Sequence, residues 1–212
     1  MAGLFITFEG VDGSGKSTHA ELLAECLRSM GQEVILTREP GGCGISEKIR
    51  DLLLDAENGA MTPQTEALLY AAARAQHVAE VIRPALEAGK TVISDRFLDS
   101  SLAYQGAGRQ LGWTLIEQVN QPAVEEIRPD ITFFLDYPPD LAFQRIERIA
   151  PLDRLEKQDA PFYERLYAEF VRLQEREPER IRRIDVSGTK QETQEKIQKE
   201  VRAFLAGQGG LR

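Results

Sequence analysis

The feature that most restricts the fold is a glycine-rich turn placed between an apolar run and an amphipathic segment. The run LFITFE, Leu4–Glu9, is rich in β-branched and aromatic residues and predicts a strand. The turn EGVDGSGKST follows directly, and from Lys16 to Met30 apolar residues recur at helical spacing. A strand, a glycine turn and a helix in this order form the context of a phosphate-binding P-loop. The start of the chain therefore predicts an α/β fold with a nucleotide site at the end of the first strand.

The same alternation continues along the chain and predicts the rest of the sheet. Four further apolar runs predict strands: Glu33–Arg38, Thr91–Arg96, Ile131–Asp136 and Arg183–Val186. Helical patterns separate them, and the longest should run from Thr62 to about Ala88 with Pro84 bending its last turn. Strands alternating with helices predict parallel pairing, and continuous apolar strands predict helices on both faces. We therefore predict an α/β P-loop NTPase fold with a five-stranded parallel sheet flanked by helices, in one domain over residues 1–212.

Composition excludes several classes of protein. A formal net charge of -8 disfavours broad nucleic-acid binding, which depends on basic surface to neutralise phosphates. No segment approaches the roughly 18 apolar residues of a membrane helix, and the N-terminus lacks the basic region of a signal peptide. The two cysteines, Cys26 and Cys43, favour free thiols over a disulfide. We expect a cytoplasmic protein with neither nucleic-acid nor membrane partners.

The spacing Gly10-x-x-x-x-Gly15-Lys16-Ser17 predicts a site for a nucleoside triphosphate. Its glycines let backbone N–H groups turn inward around an anion, and the helix N-terminus adds positive potential. Lys16 can reach the β and γ phosphates, and the Ser17 hydroxyl can face Mg²⁺. The alternative is a glycine turn that binds nothing. The expected ATP-binding residues are Gly10, Val11, Asp12, Gly13, Ser14, Gly15, Lys16, Ser17 and Thr18.

The remaining strand ends narrow the class of enzyme. We find no NKxD-type base-binding motif of a GTPase, and the paired acids typical of longer ATP-driven motors are missing from the acidic strand ends. Asp95 and Arg96 stand side by side instead, which suits a site that holds Mg²⁺ and a second phosphate together. A phosphotransferase acting on a small molecule is therefore the leading class.

Three stretches predict the site of the phosphate acceptor. Arg38 in TREPGG and Arg96 in DRFLDSSLAYQG follow strand ends, where ligands of open α/β sheets bind. Tyr70 and Arg74 in LLYAAAR are four residues apart, so they share a helix face that can stack a base and hydrogen-bond its edge. Alternatively, Tyr70 is a core residue and Arg38 only solvates a strand end. The histidines, His19 and His77, are expected to be solvated helix residues.

The order and spacing of these stretches resemble the thymidylate kinase family. EGVDGSGKST, TREPGG, YAAAR, SDRF, SSLAYQG, RPDITFFLD and LDRLE occur in that family's order over nearly the whole chain. The resemblance implies transfer of the γ-phosphoryl group of ATP to dTMP, which gives dTDP, with Mg²⁺ as cofactor. It also implies a homodimer and a lid over about residues 145–158.

The resemblance further implies individual roles for site residues. Tyr70 stacks on thymine, while Arg74 and Gln105 hydrogen-bond its edge. Ser101 and Pro40 lie beside the base and sugar. The other residues expected to hold dTMP are Asp12, Arg38 and Arg96.

For Asp12 the resemblance implies an orientation toward the deoxyribose 3′-hydroxyl or a water on Mg²⁺, and the alternative is a bond that stabilises the loop. Asp95 organises Mg²⁺ through water, together with Ser17. The catalytic set implied is Lys16, Arg96, Arg148, Arg154 and Asp12.

The resemblance also implies that the lid supplies an arginine that the P-loop lacks. Gly13 and Ser14 stand where some family members carry arginine, so this chain resembles the members that use a lid arginine. Arg148 is the favoured residue and Arg154 the second, while the alternative is that Arg145, Arg148 and Arg154 all form surface ion pairs.

Two other hypotheses stay open from the sequence. The chain could be a deoxynucleoside kinase or a kinase for another monophosphate, which turnover of dTMP against thymidine, dUMP, AMP and CMP would distinguish. It could also be a P-loop switch protein that changes partners with nucleotide and forms no dTDP.

Overall fold

A computed structural model describes residues 3–146, 154–155 and 157–207. The strands are β1 Phe5–Glu9, β2 Val34–Arg38, β3 Thr91–Asp95, β4 Ile131–Asp136 and β5 Ile181–Asp185. They form one parallel sheet in the order β2-β3-β1-β4-β5. The five-stranded parallel sheet is thus confirmed, although β5 begins two residues before the predicted Arg183.

Helices cover both faces of this sheet. Their bounds are α1 Lys16–Ser29, α2 Gly44–Leu54, α3 Pro63–His77, α4 Arg83–Glu87, α5 Leu98–Ser101, α6 Trp113–Val124, α7 Pro139–Ile146, α8 Ala160–Arg176 and α9 Lys190–Gly207. None of these helices combines the length and the apolar character needed to cross a bilayer, among the residues that the structure describes.

Alternating side chains of β1 enter two separate cores. Phe5 joins the core that includes α8, whereas Ile6 and Phe8 join the core under α1 and α9. Because successive side chains of a strand point to opposite faces, one apolar strand can serve both layers. Because both faces of the strands are buried, the strands are continuous apolar runs in the sequence.

The predicted helix from Thr62 to Ala88 is divided by a wider turn. After α3, residues Val78–Ile82 form a π-helical turn, and α4 follows. Pro84 has no N–H for the usual bond to a carbonyl four residues earlier, and the wider turn lies just before it. The structure therefore places the irregularity before Pro84 rather than in the last turn.

All five strands point their carboxyl ends to one edge of the sheet. The chain leaves β1 for the P-loop, and its neighbours β3 and β4 lie on opposite sides of it. In doubly wound folds a crevice forms at such a switch point, outside the carboxyl ends of the strands. The predicted site residues after β1, β2 and β3 are brought together at this edge.

Candidate active site

The P-loop joins β1 to the first turn of α1 in a conformation that requires glycine. Gly10 and Gly15 have φ of 135° and 94°, values that glycine adopts without strain. A Cβ on Gly10 would lie 2.7 Å from Leu135 O, so the loop passes too close to β4 for a side chain. Gly15 caps α1 without a side-chain hydrogen bond from the described residues, so N–H groups of the first turn can face an anion.

Lys16 is nearly buried at the start of α1. Its Nζ donates to Val11 O at 2.8 Å and lies 3.9 Å from Asp12 Oδ1. Burial lowers the pKa of Lys16 to about 8 from its ordinary 10.5; the positive charge of Arg96 lowers it further, and Asp12 opposes the shift. A bound polyphosphate would favour the charged ammonium, so Lys16 is placed to respond to an anion.

Two adjacent cavities that share lining residues open at this edge, and we name them by their walls. The P-loop cavity is lined by Asp12, Gly13, Gly15, Lys16, Ser17 and Thr18, with Arg38 and Asp95 from the strand ends. The α3 cavity is lined on its inner side by Pro40, Tyr70, Arg74, Ser101 and Gln105. Both cavities share the walls Asp12, Glu39, Arg50 and Arg96. Gly10, Val11 and Ser14 shape the loop without lining either cavity in the described part of the chain.

Asp12 and Arg96 form a charged pair at the junction of the cavities. The Arg96 guanidinium donates to Asp12 Oδ1 and to Gly10 O at 3.1 Å, and Tyr104 Oη donates to Asp12 Oδ2 at 2.7 Å. Burial alone would raise the pKa of Asp12, but Arg96, Lys16 and the Tyr104 hydroxyl lower it to about 2. The carboxylate is therefore ionised at any physiological pH and can only accept hydrogen bonds.

Glu9 holds the turn that carries Arg96. Arg96 itself has a φ of 73°, in the left-handed region that few residues other than glycine adopt. The buried Glu9 carboxylate accepts from Phe97 N at 2.7 Å and from Ser100 Oγ at 2.5 Å. Burial and the neighbouring Asp99 raise the pKa of Glu9 to about 8. Its two bonds help to keep the unusual backbone in place, although Glu9 does not line either cavity.

Ser17 and Asp95 meet at the outer wall of the P-loop cavity. Ser17 Oγ donates to Asp95 Oδ2 at 2.5 Å. The other carboxylate atom, Asp95 Oδ1, is buried and has no hydrogen-bond partner among the described residues. A buried acceptor without a partner is costly, so this oxygen suits a donor or a cation that enters with a ligand.

Arg74 is buried at 2% exposure in the wall of the α3 cavity. Its guanidinium donates to one carboxylate and three other acceptors: Glu39 Oε2, Ser101 Oγ, Asn120 Oδ1 and Phe97 O. A guanidinium has five N–H groups, so one N–H on Nη2 stays without an acceptor in the described part of the chain. Arg74 is thus a rigid part of the wall that retains one donor.

The other residues predicted around the base occupy the same wall. Gln105 is 1% exposed, and its Nε2 donates to Glu66 Oε1 at 3.0 Å. Tyr70 is half-buried on α3, and Pro40 follows the cis Glu39-Pro40 peptide bond. The structure therefore brings together every residue predicted for the base and sugar, from three separate segments of the chain.

Arg38 lies apart from that inner group. Its side chain is 49% exposed and pairs with Glu47 at 2.8 Å, and it lines only the P-loop cavity. A cation held by one exposed ion pair can exchange that partner at little cost. Arg38 is accordingly free to turn toward a ligand.

The two lid arginines have different positions. Arg148 lies outside the described residues. Arg154 is buried, donates to Leu53 O at 2.8 Å and Glu66 Oε2 at 2.6 Å, and does not line the P-loop cavity. Arg154 therefore does not form the surface ion pair that the sequence left open as an alternative. Its partner Glu66 lies on α3.

The interpretation of the two histidines was wrong. His77 is fully buried between Thr37 Oγ1 at 2.7 Å and Glu39 Oε1 at 3.0 Å, and His19 is 5% exposed beside Gln194. Helical periodicity could not reveal these contacts, because each partner lies on another segment.

Sequence reasoning also missed several polar residues of the site. Three of them lie inside the motifs quoted above, and this position was a signal that could have identified them: Glu9, Glu39 and Tyr104. Glu66 and Asn120 stand in otherwise ordinary helices, and no local pattern marks them. All five of these residues hydrogen-bond a predicted site residue or the turn that carries one.

Comparisons with known proteins identify the family of this chain. The family model described as thymidylate kinase matches residues 8–197. A thymidylate kinase from Lactobacillus acidophilus is 50% identical over 184 residues, which cover 85% of each chain. One from Pelotomaculum thermopropionicum is 51% identical over 188 residues, covering 88% of this chain and 87% of the relative.

A solved structure is similar over almost the same extent. The crystal structure of a thymidylate kinase from Ehrlichia chaffeensis superposes with a TM-score of 0.78 at 34% identity. The match covers 95% of this chain and 99% of the other. Both the sequence and the fold are therefore shared over nearly the entire chain.

Proposed function

The chain belongs to the thymidylate kinase family and phosphorylates dTMP to dTDP with ATP, and we propose that its two cavities hold these two substrates. The ATP phosphates occupy the P-loop cavity and dTMP occupies the α3 cavity. One observation carries this proposal: Asp12, Glu39, Arg50 and Arg96 form walls of both cavities. The two substrates would therefore meet at these shared walls, where a phosphoryl group can pass from one to the other.

The polarity of the α3 cavity supports one orientation of dTMP. Thymine lies between Tyr70, Arg74 and Gln105 at the inner end, with Ser101 and Pro40 beside it. The dTMP phosphate then faces the junction, where Arg96 lines both cavities and Arg38 lies nearby. Arg50 lines the junction as well and adds a cation that the sequence analysis did not identify.

Asp12 faces the same junction and is proposed to contact dTMP. Its carboxylate is ionised and can accept a hydrogen bond from the 3′-hydroxyl of the sugar. Arg96, Lys16 and Tyr104 surround it, so its charge is compensated before a phosphate arrives. This explains how a carboxylate can stand beside two anionic substrates.

Catalysis in this arrangement consists of positioning and charge compensation. The acceptor is already an anionic phosphate, so the chain needs no strong general base. Lys16 and the P-loop N–H groups stabilise charge on the transferring group, and Arg96 holds the acceptor in line with it. Burial of Lys16 strengthens its interaction with phosphate because water competes less.

The residues at the outer wall fit Mg²⁺. Ser17 and Asp95 would hold it, and the buried Asp95 Oδ1 without a partner is the observation that supports the fit. Oxygen ligands of this kind suit Mg²⁺, which retains several waters beside nucleotide phosphates. When bound, the ion neutralises charge on the phosphate oxygens.

We further propose that Arg148 of the lid reaches the transferring phosphoryl group. Arg154 is the weaker candidate because Glu66 and Leu53 O engage it. Arg148→Ala should lower kcat at least about tenfold with little change in the KM for dTMP, because an arginine contact made mainly in the transition state acts on kcat. An unchanged kcat would refute this assignment.

The substrate assignment is tested by a coupled assay with ATP and a set of acceptors. Wild-type protein should turn over dTMP much faster than thymidine, AMP or CMP, with dUMP as the nearest competitor. A Tyr70→Ala variant should raise the KM for dTMP, because base stacking on an aromatic ring contributes about 1–3 kcal/mol. Preference for thymidine over dTMP would overturn the proposal.

We also propose that the enzyme is a homodimer through α2, α3 and α6. The exposed large apolar side chains on these helices are Ile45, Leu52, Leu68 and Leu115. The helices lie side by side, and apolar surface collected on adjacent helices favours association. Light scattering of dilute protein should give twice the mass of the chain, and Leu68→Glu should give a monomer. Leu141→Glu on α7 is the control, and monomeric wild-type protein would end this proposal.

A location in the cytoplasm completes the proposal. It rests on the two cysteines, which are free thiols in the structure, as expected in a reducing compartment.

A further inference from the structure

Glu66 is a buried carboxylate with an unusual number of donors. It lies on α3 with no exposed surface. Gln105 Nε2 donates to its Oε1 at 3.0 Å, and Arg154 Nη1 donates to its Oε2 at 2.6 Å. Arg109 adds two bonds, from Nε at 3.2 Å and from Nη2 at 3.0 Å. Two cations and one neutral amide therefore converge on one carboxylate beside the α3 cavity.

These contacts keep Glu66 ionised. Burial would raise the pKa of its carboxyl, but the hydrogen bonds from Arg109, Gln105 and Arg154 lower it overall. An ionised carboxylate has no proton to give, so it can only accept. Gln105 must then turn its NH₂ group toward Glu66, as the hydrogen bond from Nε2 to Glu66 Oε1 shows.

The opposite end of the amide is the part left for a ligand. Gln105 lines the α3 cavity, and no described residue donates a hydrogen bond to its Oε1. Arg74 lines the same cavity and retains one N–H without an acceptor in the described part of the chain. The wall thus combines an acceptor from Gln105 with a donor from Arg74.

This pair matches one kind of pyrimidine edge. Thymine and uracil present an N3–H donor beside an O4 acceptor. Cytosine presents an N3 acceptor beside an amino donor, so both contacts would be repulsive. A site built around hydrogen bonds rejects the wrong partner because its buried groups are left unpaired.

We infer that Glu66 is a positioning residue that fixes the Gln105 amide with its oxygen toward the base, and so makes the site select 2,4-dioxopyrimidines over cytosine. This inference rests on the proposed placement of dTMP in the α3 cavity. It adds a residue that never touches the substrate and acts through Gln105.

The test compares dTMP with dCMP in variants of this cluster. In Glu66→Gln the new amide can accept or donate, so Gln105 is no longer held in one orientation. The ratio of kcat/KM for dTMP to that for dCMP should fall at least about tenfold, mainly through KM. The kcat for dTMP should stay within about threefold of the wild type, because the phosphates are held elsewhere.

Arg109→Gln is the matched control. It removes two hydrogen bonds and one cation from Glu66 but leaves a carboxylate facing Gln105. It should lower thermal stability and keep the dTMP/dCMP ratio within about twofold of the wild type. A ratio that is unchanged in Glu66→Gln, or that falls equally in Arg109→Gln, would overturn the inference.

Gln105→Ala separates this inference from the proposed function. If Gln105→Ala leaves the ratio unchanged, Gln105 does not contact the base, and the placement of dTMP is wrong. If Gln105→Ala lowers the ratio and Glu66→Gln does not, only the role of Glu66 is wrong.

A measurement on wild-type protein covers the case in which Glu66→Gln does not fold. In ¹⁵N-labelled enzyme the Gln105 side-chain amide is assigned by its loss in Gln105→Ala. One of its protons should exchange with solvent at least about tenfold more slowly than that of an exposed glutamine, before and after dTMP is added. Exchange at the rate of an exposed amide would exclude the bond to Glu66 and overturn the inference.

Discussion

The two cavities are built in opposite ways. Six of the eleven residues that line the P-loop cavity belong to the single segment Asp12–Thr18, and its Arg38 is 49% exposed with one surface ion pair. The inner wall of the α3 cavity contains the buried side chains of Arg74, Ser101 and Gln105, and Arg74 is 2% exposed with four partners. The same residue type is therefore adaptable in one cavity and immobilised in the other.

This difference matches what each cavity is proposed to recognise. Phosphate is a strong charge that many donor geometries satisfy, so exposed cations and a glycine loop are sufficient. A neutral base edge is distinguished only by the position of single donors and acceptors, which requires a prebuilt wall. Substitutions in the P-loop cavity should therefore affect the reaction, whereas those in the α3 cavity should affect stability as well.

The largest effect on activity is expected for Lys16→Ala. Loss of the ammonium should lower kcat/KM on the order of 100- to 1,000-fold, as for other donors aimed at transition-state charge. The melting temperature should change little, because the main Lys16 contact within hydrogen-bond distance is Val11 O. Lys199→Ala on the exposed side of α9 is the control. A large loss of stability in Lys16→Ala would break the contrast between the cavities.

The largest effect on stability is expected for Arg74→Gln. It leaves Glu39 as a buried charge without its arginine, and breaking such a pair costs about 3–5 kcal/mol. For a chain of this size that corresponds to a fall in melting temperature of about 6–20 °C. Calorimetry measures the fall, and the KM for dTMP should rise in parallel. A variant as stable as the wild type would show that the network is not structural.

Arg38→Gln is the matched substitution in the P-loop cavity. Its ion pair with Glu47 is exposed, so the loss in stability should stay below about 1 kcal/mol. The KM for dTMP should nevertheless rise about tenfold, because a charge-assisted phosphate contact is lost. Initial rates at varied dTMP measure this change. If Arg38→Gln destabilises the protein as much as Arg74→Gln, the comparison fails.

The smallest effect is a pH dependence at Lys16. The free-enzyme pKa of about 8 is below the ordinary value, so the ammonium is present below pH 8 and is lost as the pH rises. The kcat/KM for ATP should fall about fourfold between pH 7 and pH 8.5, while kcat at saturating ATP falls less because bound phosphates hold the proton. Lys16→Arg should remove this decline, since arginine stays charged. A flat wild-type profile up to pH 9 would contradict the shift.

Much of the P-loop cavity was predictable because its determinants are local. The glycine spacing, the strand before it and the helix after it determine the backbone path over residues 9–18. The apolar runs predicted the parallel sheet, since burial on both faces leaves a continuous pattern. Strand ends then placed Arg38, Asp95 and Arg96 at one edge before any contact was known.

Only the tertiary structure decided how the α3 cavity works. Helical periodicity assigns a residue to a face but does not show which distant side chain meets it there. Glu66 meets Gln105 39 positions away and Arg154 88 positions away, and the histidines taken as solvated were buried by partners just as remote. The chain's motifs determined the conformation of the P-loop, because backbone conformation is encoded locally. The orientation of a buried amide depended on a carboxylate that only folding brings beside it.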